Sequence, residues 1–66
     1  MHNGMKNREV IIEILPFGQL MRVSAMDVKT LTEIVISCPK GTPETVMKAN
    51  ALKRMEYVLK KKGIIS

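Results

Sequence analysis

The sequence predicts an α+β domain: a three-stranded antiparallel β-meander with one C-terminal α-helix packed on one face (βββα). Three observations carry that reading. Segments with apolar residues at every second position recur up to about residue 37, and period-2 alternation marks half-buried strands. Pro, Gly and Asp punctuate these segments at intervals too short for a helical crossover, so neighbouring strands pair as hairpins. Beyond Thr42 the apolar spacing changes to 3.6, and the stretch ends in three lysines and a glycine, as helices do.

Residues 1–8 are polar, contain Gly4 and show no periodicity, so they read as a flexible N-terminal arm, leaving 9–66 as a single domain. From Glu9 to Leu15 the β-branched content favours an extended chain. Val10, Ile12 and Ile14 fall on one face, and Glu9, Ile11, Glu13 and Leu15 on the other. Pro16-Phe17-Gly18-Gln19 supplies the first turn. The second strand, Leu20 to Met26, puts Met21, Val23 and Ala25 opposite Leu20, Arg22, Ser24 and Met26. Asp27 to Leu31 forms the next break, with the Asp27 carboxylate placed to cap its own turn. A third strand, about Thr32 to Ser37, presents Ile34 and Ile36 on one side and Glu33, Val35 and Ser37 on the other. On the mixed face Arg22 is expected beside acidic residues of both neighbouring strands, among Glu9, Glu13 and Glu33. Cys38-Pro39-Lys40-Gly41 closes the sheet.

Thr42 is expected to be the N-cap of the helix, with Pro43 in the first helical position and Glu44 against the positive dipole end. Lys60, Lys61 and Lys62 fill the last turn and Gly63 follows at C′, giving a helix of about 20 residues. At 100° per residue Met47, Ala51, Leu52, Met55, Val58 and Leu59 share the face that covers the sheet. Glu44 with Lys48, and Glu56 with Lys60, are i,i+4 pairs in the favourable orientation.

The string Met21-Arg22-Val23-Ser24-Ala25-Met26-Asp27, with Thr30, Glu33-Ile34, Pro39, Lys48, Ala51-Leu52 and Met55-Glu56-Tyr57-Val58-Leu59, resembles a family of small bacterial proteins of unknown function. The resemblance spans about residues 8 to 60. It implies the strand-strand-strand-helix order and adds no activity. Two positions depart from the pattern: Val28 stands where the family prefers Pro, and Leu31 where a turn Gly is expected.

Sixty-six residues with one cysteine and one histidine hold neither a disulfide nor a His/Cys metal site. His2 lies in the arm without ligands at metal-binding spacing, and Cys38 has no histidine base within the folded part, so it reads as a structural thiol. Glycine-rich phosphate loops are absent. The chain is expected to be no enzyme and to need no cofactor. No apolar run approaches the roughly 20 residues of a membrane span, and a single free thiol suits a reducing compartment, so the expected location is the cytoplasm.

One helix covers one face of a sheet, yet Ile11, Leu15, Leu20, Met26 and Val35 fall on the other. The expectation is a protein-interaction or accessory module that forms a homodimer through the sheet or its edge strand, and that binds another protein through the mixed face, with Ile11, Leu20 and Val35, or through Tyr57 on the outer side of the helix. The alternative is electrostatic nucleic-acid binding. Lys48, Lys53, Arg54, Lys60, Lys61 and Lys62 against Glu44 and Glu56 give the helix region +4 of the chain's net +5. On that reading Lys53, Arg54, Lys60, Lys61 and Lys62 meet phosphates, with Lys6 and Arg8 as an arm. Phe17 and Tyr57 are the chain's two large aromatics, too few for a base-stacking platform.

Overall fold

The computed structural model describes residues 7–66, in the order β1 (Val10–Phe17), β2 (Leu20–Asp27), β3 (Glu33–Pro39) and α1 (Glu44–Lys61). The strands form one antiparallel sheet, β1-β2-β3, followed by the helix, as the alternation predicts.

The strands run longer than the turn residues suggest. β1 continues through Pro16, paired with Met21, and Phe17, paired with Leu20, so the loop of the first hairpin is only Gly18 and Gln19. Proline is tolerated there because β1 is an edge strand, with one side of its backbone unpartnered among the described residues. Gly18 has φ +62°, the positive value that tight hairpin turns require at their first central position. β3 likewise runs through Cys38 and Pro39, on the opposite edge.

Register then fixes the two faces. Val10, Ile12 and Ile14 of β1, Met21, Val23 and Ala25 of β2, and Ile34, Ile36 and Cys38 of β3 gather on the core side. Met47, Ala51, Met55 and Leu59 of α1 close over them, at the i,i+4 repeat that keeps one helical stripe inward. Each large apolar side chain fully buried here contributes roughly 1.5–3 kcal/mol. Leu52, expected in that stripe, lies on the rim and is exposed. The helix rests on β2 and β3, and β1 extends beyond it with its inward residues half-buried.

Thr42 is not the N-cap. Its hydroxyl donates to the Pro39 carbonyl at 2.7 Å, and its amide donates to the same oxygen at 3.1 Å. Pro43 takes the cap position with ψ 143° and no side-chain cap, its carbonyl accepting from Val46 and Met47. The helix therefore starts at Glu44 and has 18 residues. Its other end follows the expectation. Gly63, with φ +76°, donates to Lys60 O, and Ile64 donates to Leu59 O, the paired bonds of a Schellman motif. Both expected helical ion pairs form, Glu44 with Lys48 at 3.0 Å and Glu56 with Lys60 at 3.7 Å.

Candidate functional site

Among the described residues nothing covers the sheet face turned away from the helix. Its rows, read across the strands, are Ile11-Met26-Glu33, Glu13-Ser24-Val35, Leu15-Arg22-Ser37 and Phe17-Leu20-Pro39. Ile11, Leu15, Phe17, Leu20 and Val35 are all exposed, from 42% for Leu20 to 66% for Phe17. Glu13, Leu15, Arg22, Ser24, Glu33 and Val35 line a shallow concavity of about 250 Å³ at its centre.

Arg22 does not pair with acidic residues as the strand order suggested. The register sets it opposite Leu15 and Ser37, while Glu13 lies opposite Ser24 and Glu33 opposite Met26. Its guanidinium instead lies 5.9 Å from the centroid of the Phe17 ring. Among the described residues the ion pairs involve Arg8, Lys48 and Lys60, and none involves Arg22, Glu13 or Glu33.

Ile11, Leu20 and Val35 thus share one surface, and Tyr57 is on another. Tyr57 sits on the helix, exposed, between Arg54 at 5.3 Å and Lys61 at 5.9 Å from its ring. Lys53, Arg54, Lys60 and Lys61 are likewise exposed along the last part of α1, and Lys62 at its C-cap, with Lys60 engaged by Glu56. Phe17 is a member of the open face that reading Pro16 as a turn residue conceals. The alternation of positions 11, 13, 15 and 17, continued through the proline, finds it.

A buried polar cluster closes the other end of the sheet. Asp27 is fully buried, and Arg8 Nε donates to its Oδ1 at 3.0 Å. The Thr30 amide and hydroxyl donate to Oδ2 at 3.0 and 2.7 Å. Burial pushes the Asp27 carboxyl up, but the Thr30 hydroxyl, the Thr30 amide and the Arg8 guanidinium together outweigh it and hold the group below its ordinary value. With these partners in place the carboxylate is a structural clasp, not an acid or base facing a ligand. It answers the expected self-capping of the second turn. It also fastens Arg8, grouped with the arm by sequence. Met5, His2 and Lys6 lie outside the described residues. Cys38 is buried, and among the described residues no group of His, Cys, Asp and Glu is arranged to hold a metal. No helix among them is long and apolar enough to cross a membrane.

A family model described as "Domain of unknown function (DUF6898)" matches residues 7–62. The chain belongs to this family. The DUF6898 span takes in the Arg8–Asp27 clasp, all three strands and the whole helix, and stops just before Gly63, Ile64 and Ile65, which cap the helix and bring Ile65 back onto the core. No curated protein and no solved structure matches the chain. The surfaces described above therefore have to be read from their own chemistry.

Proposed function

We propose that this DUF6898 protein is a non-enzymatic interaction module that works through its open sheet face and self-associates there. One observation carries the reading: five large apolar side chains, Ile11, Leu15, Phe17, Leu20 and Val35, stand exposed together on a face that the single helix leaves bare. Single exposed apolar residues are ordinary, but five on one uncovered sheet face, set around a polar centre of Glu13, Ser24 and Arg22, make the kind of surface that a protein partner covers. A domain this small also gains stability from association that its own core is too slight to supply. The resemblance to a bacterial family and the lone buried thiol support placing it in the bacterial cytoplasm.

The experiment is size-exclusion chromatography with light scattering on Ile11→Glu and Val35→Glu. Both positions are exposed, so the variants keep the fold by circular dichroism while losing self-association. Unchanged oligomer mass in both overturns the reading. The exposed cations Lys53, Arg54, Lys60, Lys61 and Lys62 favour a second reading, electrostatic nucleic-acid binding, whose mark is affinity that falls steeply between about 50 and 200 mM salt.

A further inference from the structure

We propose that the open face is closed by a second copy of the chain, related by a two-fold axis that runs across the strands, with Arg22 of each copy set against Glu13 of the other. This rests on the reading that the chain self-associates through the open face, and adds the symmetry of that contact and the charge pair that fixes it.

The order of the four rows carries the argument. An axis between the Glu13-Ser24-Val35 row and the Leu15-Arg22-Ser37 row lays the outer rows on each other: Phe17 on Ile11 of the second copy and Leu20 on its Met26. On β1 and β2 apolar side chains then meet apolar ones at both ends of the contact, and on the edge strand β3 Glu33 lies over Pro39 of the second copy. In the middle, each Arg22 lies over Ser24 of the other copy, one strand spacing, about 4.8 Å, from its Glu13, and facing sheets sit about 10 Å apart, a gap that an arginine and a glutamate span together. The other face-to-face two-fold, with its axis along β2, stacks Arg22 on Arg22 and sets Ile11 on Glu33, so the charge pattern selects between them.

Charge and area favour a copy of the same chain. The concavity holds Arg22, Glu13 and Glu33, and among the described residues none of the three has an ion-pair partner within its own chain. An isologous contact supplies one to Arg22 and Glu13 twice over. Three strands of about eight residues make a face of roughly 14 by 26 Å, about 360 Å² in projection and, with the relief of its protruding side chains, on the order of 600 Å² of accessible surface a copy. The pair then buries about 1,200 Å², the lower end of specific interfaces.

Charge exchange tests it. Arg22→Glu puts like charges together in its own homodimer, and so does Glu13→Arg, whereas a mixture of the two variants pairs opposite charges at both places. Sedimentation velocity is expected to show each variant alone associating at least about tenfold more weakly than the parent, and an equimolar mixture recovering to within about threefold of it. Circular dichroism confirms that each variant is folded. If Arg22→Glu is not, Arg22→Gln and Glu13→Gln replace the pair: each weakens the dimer, and the double variant is no weaker than either single one. A parent that self-associates while both variants do so equally well alone overturns this two-fold arrangement and leaves the open-face reading standing. A parent that stays monomeric at about 0.5 mM overturns both.

Discussion

Arg8 Nε and Asp27 Oδ1 lie 3.0 Å apart, with the Asp27 side chain fully buried and that of Arg8 nearly so. The pair joins the residue that leads into β1 to the last residue of β2, beside the Val10–Asp27 end of their ladder. Among the described residues it is the ion pair that solvent screens least.

Removing one partner of such a pair leaves the other buried and unmatched, which costs about 3 kcal/mol or more. Arg8→Ala is expected to lose about that much in urea unfolding. Acid titration reports the same contact from the other side. Because the folded carboxyl is held below its ordinary value of 3.8, the stabilisation is complete above about pH 5 and is lost as pH falls through the lower folded value. Asp27→Asn is expected to remove that part of the acid dependence. An Arg8→Ala variant as stable as the parent, with the same acid profile, contradicts the clasp.

Leu31 has φ +60° and is 68% exposed, so it bears the cost of a left-handed backbone with little burial in return. Leu31→Gly is expected to stabilise the domain by about 1 kcal/mol, which in a chain of this size raises Tm by several degrees, while Leu31→Ala gains nothing of the kind. Differential scanning calorimetry checks both. Equal melting temperatures for the two variants show that the strain is absent.

The faces of the helix make a sharper comparison. Met55 is fully buried and Leu52 lies on the rim. Met55→Ala is expected to cost about 2–5 kcal/mol, a large part of the stability of so small a domain, whereas Leu52→Ala costs under about 1 kcal/mol. Denaturant midpoints separate them, and similar losses at both positions place the helix in a different rotation on the sheet.

These comparisons also mark where the sequence was legible. Alternation assigns every core residue of β1 and β2 and Ile34 and Ile36 of β3 to the correct face, because register is pinned by a buried side. Leu31 already stood out as a residue in the place of a turn glycine, and its positive φ agrees. What escaped depends on contacts between distant segments. Nothing local in Arg8 announces a bond to Asp27. Pro16 and Thr42 carry strong local signals, for a turn and for a cap, that an edge strand and the Pro39 carbonyl override. Arg22 shares a face with Glu13 and Glu33, as the alternation implies, but the row it occupies is set by a two-residue hairpin loop that the Pro-Phe-Gly-Gln string obscures.

The central claim is that copies of the chain meet through the open sheet face, and amide chemical shifts followed through a dilution series test it most directly. The account predicts concentration-dependent shifts at Ile11, Glu13, Leu15, Leu20, Arg22 and Val35, with Lys53 and Tyr57 unmoved. Shifts confined to the helix, or none across the accessible range, contradict it.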